Sequence, residues 1–225
     1  MGLEPDLARA MVTVTSPVLG TLCRAWPRPS RPGCYDATVR STITELGVVE
    51  VLDPAGRRVR LGDLWSDRPT VAVWLRHFGC LYCLEQVATL TSASRIFESE
   101  GAKLLLIGNG RPEQALRFQQ MRAPGATVVT DPERRSYRAL GARRSPLGML
   151  GPGTIRGWLA ARRLGIRADG LQGDALQLGA TLVVDPPGTV LLAHMDSGPG
   201  DHPSLEAIVA ALRRSGSAAT GKEVA

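Results

Sequence analysis

Residues 70–90, TVAVWLRHFGCLYCLEQVATL, decide the fold, because two different hydrophobic patterns meet inside them. The first residues form a short apolar run rich in β-branched side chains, which predicts a buried central strand over residues 70–76. Beyond residue 81, apolar side chains recur at helical spacing, and this pattern predicts a helix over residues 81–100. Cys80 and Cys83 therefore stand where the predicted strand passes into the predicted helix.

Further along the chain the same alternation repeats. A second apolar strand is predicted over residues 102–108, and a helix opened by Pro112 follows it. A third strand is predicted over residues 126–131, ahead of a short helix over residues 132–140. Strands that alternate with helices pack as a sheet between two helical layers. The pattern predicts an α/β protein, a three-layer sandwich around a mixed central sheet.

Hairpins are predicted on both sides of this unit. Residues 41–65 alternate and turn at Asp53-Pro54-Ala55-Gly56, which indicates an N-terminal hairpin ahead of the main sheet. Residues 180–195 are typical of two antiparallel strands joined by a Pro-Gly turn, and residues 203–214 of a closing helix.

Composition shifts predict the domain organisation. Residues 1–40 are interrupted by prolines and arginines, so we expect a poorly ordered leader. Residues 41–214 form one folded domain, and residues 215–225 form a flexible tail of small and charged residues. A helical insertion over residues 142–173 is predicted before the last hairpin.

The insertion is strongly basic, and two interpretations of it stay open. Arginines dominate it, and no acidic residue precedes Asp169. It could be a solvated helix that covers one edge of the sheet, or a flap that admits an anionic substrate to a site. In the second case the side chains that govern substrate access are Arg156, Arg162 and Arg163.

Composition also bounds the partners and the location. The formal net charge is +6, but aromatic residues make up only 4% of the chain, so stacking platforms for nucleic acid are scarce. We predict no nucleic-acid partner. No apolar run is long enough to span a bilayer, and Glu4 and Asp6 stand where a secretory signal needs positive charge. The predicted location is the cytoplasm.

The cysteine pair allows three chemical interpretations. At the start of a helix, backbone N–H groups and the helix dipole favour a thiolate at Cys80, and Cys83 lies within reach on the same face. Zinc would need a second pair of ligands, but ten residues separate Cys23 from Cys34 and the three histidines have no ligand spacing, so we predict no metal. A redox pair is the leading hypothesis, and an inert core pair is the other alternative.

Three segments carry a family resemblance: WLRHFGCLYCLEQVATL, GDALQLGATLVVDPPGTVLLAH and DHPSLEAIVAAL. Together they resemble the peroxiredoxin-like branch of the alkyl hydroperoxide reductase and thiol-specific antioxidant superfamily, which includes the prostamide/prostaglandin F synthases. The resemblance implies a thioredoxin-like fold and a thiol-dependent oxidoreductase that reduces a peroxide or an endoperoxide. It implies no bound cofactor, and an external dithiol such as thioredoxin as reductant.

The same resemblance implies roles for single residues. Cys80 corresponds to the nucleophile and Cys83 to its resolving partner, while Arg76, Glu85 and Gln86 match flanking positions. Because neighbouring strand residues point to opposite faces, either Arg76 or His77 faces the sulfur, and Arg76 would lower its pKa. Thr181, at the entry to the late strand, is a further candidate for stabilising the thiolate or positioning the substrate. Asp174 and Gln177 either line the opening of the site around the cysteines or cap that strand.

Departures from the family pattern bear on the substrate. Leu84 replaces a basic residue, and the Pro and Thr that lead into a typical peroxiredoxin cysteine are missing, which places hydrogen peroxide turnover in doubt. Ala180 cannot hold a cis bond cheaply where thioredoxins have proline, which favours small substrates. Two rivals stay open: a tailoring enzyme that uses Cys80 as a covalent nucleophile without net redox change, and a non-catalytic binding protein.

Overall fold

The predicted alternation of strands and helices is present in the structure. A computed structural model describes residues 42–145, 170 and 172–220. Its strands are β1 (Glu50–Leu52), β2 (Arg58–Arg60), β3 (Thr70–Trp74), β4 (Lys103–Gly108), β5 (Thr127–Thr130), β6 (Ala180–Asp185) and β7 (Thr189–Met195). Its helices are α1 (Leu81–Ser92), α2 (Ser94–Ser99), α3 (Pro112–Arg122), α4 (Arg135–Leu140) and α5 (Leu205–Thr220), with a 3-10 turn at Leu61–Trp65. The predicted leader over residues 1–40 and most of the predicted insertion lie outside the described residues.

The described strands form one mixed sheet in the order β2-β1-β5-β4-β3-β6-β7. β3, β4 and β5 run parallel, whereas β1, β6 and β7 are antiparallel to their neighbours. β3 is central, and its last residue, Trp74, lies opposite Ile107 on one side and Ala180 on the other. The predicted α/β class with a mixed central sheet is confirmed.

Side chains of β3 alternate between two apolar cores. Val71 and Val73 pack into a core built with α1, α2, α3 and α5. Ala72 and Trp74 point the other way, into a core built with the helical residues 42–47, the 3-10 turn and α4. All five β3 residues are buried, as a continuously apolar strand requires. Helical elements therefore cover both faces of the sheet, which confirms the three layers.

Both predicted hairpins form, with the turns at the expected residues. In the first, the Gly56 amide donates to the Asp53 carbonyl (2.9 Å), and Gly56 adopts a φ of +80° that favours glycine. In the second, the Gly188 amide donates to the Asp185 carbonyl (2.7 Å). The N-terminal hairpin is shorter than predicted, because residues 42–47 are helical and only Glu50–Leu52 pairs with Arg58–Arg60. Ile43 and Leu46 lie one helical turn apart and enter the core together.

Two predicted helix boundaries are wrong. The helix predicted over residues 81–100 breaks at Ala93 into α1 and α2. Near the break the hydroxyls of Thr91 and Ser92 donate to the carbonyls of Val87 and Ala88 (both 2.8 Å), and such bonds bend helices. The last helix continues past residue 214 to Thr220, and residues 221–225 of the predicted tail lie outside the described residues. The Ser215 hydroxyl, bonded to the Asp185 carboxylate, holds this extension against β6.

The two described ends of the insertion meet beside β6. Arg144 and Gln177 form an antiparallel bridge. Two backbone bonds flank it: the Ser145 amide donates to the Leu176 carbonyl, and the Leu178 amide donates to the Arg143 carbonyl (both 2.9 Å). Arg144 and Gln177 therefore lie side by side, next to the carboxyl end of β3.

Candidate active site

Cys80 and Cys83 lie at the junction of β3 and α1. Cys80 is the N-cap residue of α1, with an extended backbone (φ −71°, ψ 122°), and its carbonyl accepts from the Leu84 amide (2.9 Å). Cys83 lies three residues further on, just under one helical turn away. Both side chains are buried, and both are free thiols. The structure thus places the pair at the strand-to-helix junction that the sequence predicted.

Three polar groups fix the segment between β3 and Cys80. The Leu75 amide donates to the Ile107 carbonyl (2.8 Å), and the Leu75 carbonyl accepts from the buried Tyr137 hydroxyl (2.6 Å). The Asn109 side-chain amide donates to the Arg76 carbonyl (2.7 Å). Because these bonds hold the backbone on both sides of Arg76, the direction of its side chain is set by the sheet.

Phe78 supplies the apolar support of the same segment. Its ring is fully buried and lies against Phe118 of α3, with ring centroids 5.0 Å apart. The ring also covers the backbone of Gly108 so closely that a Cβ there would lie 2.2 Å from the Phe78 Cζ atom. The end of β4 therefore requires glycine for the cysteine loop to pack.

Arg76 is the cationic neighbour of the reactive pair. Its guanidinium Nη1 lies 3.6 Å from the Cys80 Sγ atom, and its backbone amide donates to the Cys83 Sγ atom (3.3 Å). Only 2% of Arg76 is exposed. The other guanidinium nitrogens donate to the carbonyls of Gln177 (3.3 Å) and Ala175 (2.7 Å). The segment that returns from the insertion therefore holds the cation against the sulfur.

The site separates the acidities of the two cysteines. A hydrogen bond from Cys83 lowers the pKa of Cys80 to about 6; burial opposes this shift, and the Arg76 charge and the backbone N–H groups of Cys83 and Tyr82 reinforce it. The same hydrogen bond, burial and the Cys80 charge raise the pKa of Cys83 well above the usual range. At neutral pH the pair therefore consists of a thiolate at Cys80 and a thiol at Cys83.

His77 takes no part in the contacts of the sulfurs. It is buried, its Nδ1 atom has no hydrogen-bond partner, and burial together with the Arg76 charge lowers its pKa to about 4. The ring is therefore neutral at pH 7. Of the two side chains that could face the sulfur, the structure selects Arg76.

The other candidate residues lie around the pair without touching a sulfur. Thr181 accepts a hydrogen bond from the Gln86 side-chain amide (3.3 Å) across the α1–β6 contact, and Glu85 lies half-buried on α1. Asp174 binds Arg134 and Arg144. The Gln177 side-chain amide donates to the carbonyls of Ala142, Arg143 and Leu178. Asp174 and Gln177 thus connect the chain that follows the insertion to residues 142–144 at its start.

Sequence patterns did not indicate two features of the site. The carbonyls of Ala175 and Gln177 orient Arg76, but every residue has a carbonyl, so no sequence signal marks them. Asp196 and His202 form a buried pair beyond β7. The DHP triplet that contains His202 carried a family resemblance but no predicted role.

The prediction about metal binding concerns described residues in part, whereas the prediction about substrate access concerns residues outside them. In residues 42–145 and 172–220 no group of three or more His, Cys, Asp or Glu side chains could hold a metal ion. Cys23 and Cys34, and the access candidates Arg156, Arg162 and Arg163, lie outside the described residues.

Comparisons with known proteins agree on one family. Residues 89–198 match the model of the AhpC/TSA antioxidant enzymes. Peroxiredoxin-like 2C of Bos taurus is 31% identical over 209 residues, covering 87% of this chain and 88% of the relative. The prostamide/prostaglandin F synthase of Sus scrofa is 34% identical over 173 residues, covering 73% and 83%. Among solved structures, peroxidoxin BcpB from Mycobacterium tuberculosis aligns with a TM-score of 0.55 at 18% identity, over 74% of this chain and 92% of that chain, which shows the thioredoxin-like fold.

Proposed function

Because the chain belongs to the peroxiredoxin-like group of AhpC/TSA antioxidant enzymes and is a thiol oxidoreductase, we propose that it reduces a peroxide or an endoperoxide through Cys80 and Cys83. One observation carries the assignment of roles. The Arg76 guanidinium and the Cys83 thiol both point at the Cys80 sulfur, and they keep this sulfur ionised while Cys83 stays protonated. A thiolate attacks, and a thiol resolves.

The cycle has three steps. The Cys80 thiolate attacks one oxygen of the O–O bond, an S–O bond forms as the O–O bond breaks, and the leaving oxygen takes up a proton. With a hydroperoxide, Cys80 is thereby oxidised to a sulfenic acid and the substrate is reduced to an alcohol. With an endoperoxide, Cys80 becomes a sulfenate ester and the leaving oxygen becomes the first hydroxyl group of the product. The Cys83 thiol then attacks the Cys80 sulfur and a Cys80–Cys83 disulfide forms. Water leaves from the sulfenic acid, or the second hydroxyl group of the product leaves from the sulfenate ester. An external dithiol of the thioredoxin type then reduces the disulfide by exchange.

The comparisons and the local sequence support a proposal about the substrate class. The relative in Sus scrofa is named a prostamide/prostaglandin F synthase, and this supports an endoperoxide or another organic peroxide. Leu84, in place of a basic residue, leaves the stabilisation of the thiolate to Arg76, Cys83 and backbone groups. We propose an organic peroxide rather than hydrogen peroxide as the preferred substrate.

Location remains a prediction. Among the helices of the described residues, none is long and apolar enough to cross a membrane. A relative in Arabidopsis thaliana, 29% identical over 182 residues, is named a chloroplastic thioredoxin-like protein. The cytoplasm therefore stays an expectation that fractionation of the native host would test.

Single serine variants test the two roles. Cys80→Ser should abolish peroxide consumption, because the nucleophile is lost. Cys83→Ser should consume one equivalent of peroxide and accumulate a sulfenic acid at Cys80 that dimedone traps. Peptide mapping of the oxidised native protein should show a Cys80–Cys83 disulfide.

Cys23→Ser and Cys34→Ser are the matched controls, and both should retain full turnover. Full activity of Cys80→Ser, or a disulfide between Cys80 and Cys34, would contradict the assignment. A stable substrate adduct on Cys80 with no oxidation would instead support the redox-neutral tailoring enzyme.

A further inference from the structure

A second buried polar group lies beside the cysteine loop. Asp196 directly follows β7, and its amide donates to the Gly179 carbonyl (3.1 Å). A Cβ at Gly179 would lie 2.5 Å from the Trp74 carbonyl oxygen and 2.6 Å from the Asp196 Oδ2 atom. The absence of a side chain at Gly179 therefore lets the carboxylate approach the carboxyl end of β3, where the segment leading to Cys80 begins.

His202 is paired with this carboxylate. Its Nδ1 atom lies 3.4 Å from the Asp196 Oδ2 atom, and the two side chains are 10% and 2% exposed. Burial opposes a charged ring, but the nearby Asp196 carboxylate, with smaller contributions from Cys80 and Glu85, raises the pKa of His202. The charge of Cys80 acts on the ring, which lies within electrostatic range of the sulfur.

The second ring nitrogen of His202 is available to a ligand. Both ring nitrogens are buried and make no hydrogen bond within the described residues, but Nδ1 faces the Asp196 carboxylate at 3.4 Å and Nε2 is left for a ligand. A buried donor without an acceptor is unfavourable, and in a reaction site it indicates a position that the substrate fills. With Nδ1 directed at Asp196, Nε2 is the nitrogen that can carry a proton to such a substrate.

The reaction needs a proton donor that the residues around the sulfur do not otherwise supply. Attack by a thiolate leaves an alkoxide, which is a poor leaving group unless it is protonated. Arg76 cannot give up its proton, because a guanidinium stays charged at any working pH. His77 has a pKa of about 4 and is neutral, and the Cys83 proton is directed at Cys80. His202, in contrast, has a ring that can release a proton, and its surroundings raise the pKa of that ring.

We propose that His202, held by Asp196, is the general acid that protonates the leaving oxygen when Cys80 opens the peroxide bond. The inference rests on the proposed function. As the S–O bond forms, the electron pair of the O–O bond moves to the leaving oxygen, which takes the proton from Nε2 and becomes a hydroxyl group. The neutral imidazole remains beside Asp196 and regains a proton from solvent before the next turnover.

Leaving-group chemistry tests the proposal in the Cys83→Ser background, where a single oxidation of Cys80 is measured by stopped flow. tert-Butyl hydroperoxide leaves as an alkoxide and needs a proton, whereas peracetic acid leaves as acetate and needs none. Adding His202→Gln should slow the alkyl hydroperoxide reaction by about 100-fold and the peracetic acid reaction by less than about threefold. The peracetic acid rate also reports whether the variant is folded.

The pH profile gives an independent readout. With the intact histidine, the alkyl hydroperoxide rate should fall at alkaline pH as the imidazolium loses its proton, above the ordinary histidine range. His202→Gln should lack this falling limb. Asp196→Asn should move it to lower pH, because the charge that raises the pKa of His202 is gone. This second variant tests the pair if His202→Gln does not fold.

His194→Gln is the matched control. His194 also lies near Asp196 (3.8 Å), but its ring contacts Asp201, and the groups that shift its pKa do not include Cys80. It should keep the native ratio of the two rates. Equal losses on both substrates in His202→Gln, or no loss on either, would overturn the inference alone. Failure of the Cys83→Ser protein to react with either peroxide would overturn the proposed function and the inference with it.

Discussion

Cys80 and Cys83 are chemically identical in an unfolded chain, and the folded site shifts their pKa values in opposite directions. Arg76 contributes to these shifts in two ways: its guanidinium charge lies beside the Cys80 sulfur, and its backbone amide donates to the Cys83 sulfur. The largest single contribution to the lowered pKa of Cys80 is the hydrogen bond from Cys83. The resolving cysteine is therefore also an activator of the nucleophile, a role that spacing on a helix does not reveal.

The pH dependence of alkylation tests this division of labour. Because the pKa of Cys80 is lowered, its reactive thiolate is present above about pH 6 and is lost as the pH falls through that value. Iodoacetamide labelling of Cys80, followed by mass spectrometry, should therefore show a midpoint near pH 6. Arg76→Gln should raise the midpoint, and Cys83→Ala should raise it further.

Arg58→Gln is the control for that titration, since this arginine is exposed on β2 and pairs with Glu50. It should leave the midpoint in place. A midpoint of about 8.5 in the native protein, the value of an ordinary cysteine, would contradict the assignment of Cys80 as the activated thiol.

At the scale of elements, the end of β4 supports the cysteine loop through a contact between Gly108 and Phe78. Gly108→Ala would place a methyl group 2.2 Å from the Phe78 ring, so the ring must leave its place beside Phe118. We expect a loss of about 1–3 kcal/mol in the free energy of unfolding, measured with urea, from overpacking. Alkylation of Cys80 should slow at neutral pH, because the displaced loop moves the sulfur from Arg76.

Gly47→Ala provides the comparison within the same chain. A Cβ at Gly47 meets the Gly62 Cα atom at 3.6 Å, an ordinary contact, on the opposite face of the sheet. This variant should change the free energy of unfolding by less than about 1 kcal/mol and leave Cys80 reactivity unchanged. A Gly108→Ala protein as stable and as reactive as Gly47→Ala would refute the role of the contact.

For the whole molecule, the net charge of +6 and the basic insertion motivate a prediction about substrate access. We propose that Arg156, Arg162 and Arg163 attract anionic substrates to the cysteines. Replacing all three by Gln should raise the KM for a fatty-acid hydroperoxide roughly tenfold at low salt and leave tert-butyl hydroperoxide unaffected. Added salt should reduce the difference between native and variant proteins.

A triple variant of Arg57, Arg58 and Arg60 to Gln removes the same charge from an exposed hairpin. If it raised the KM for the fatty-acid hydroperoxide equally, the effect would come from net charge rather than from the insertion. Equal effects of the insertion variant on charged and neutral substrates would also contradict the proposal.

Much of this protein could be predicted from patterns that act within a few residues. The apolar run over residues 70–76, the helical spacing after residue 81 and the glycine turns were sufficient for the central strand, α1, the two hairpins and the position of Cys80. The spacing of apolar residues and the residue types in a turn are local properties of the sequence. A strand that buries its side chains needs the same apolar pattern wherever it lies in the sheet. The hydroxyl groups near Ala93 also act locally, since they bond to backbone carbonyls and bend the helix. Packing of the helix opposes this bending, so the sequence pattern did not predict the break.

The packed structure decided the contacts that make the site reactive. Arg76 rather than His77 faces the sulfur because bonds from β4 and Asn109 fix the backbone on both sides of it. The Gln177 carbonyl, 101 residues away in sequence, then accepts from its guanidinium. Asp196 comes near the carboxyl end of β3 only because β6 and β7 pair antiparallel beside β3 and return the chain to the same end of the sheet. Contacts of this kind depend on strand order and on backbone groups common to all residues. No local pattern encodes them, so they appear only when the sheet has formed.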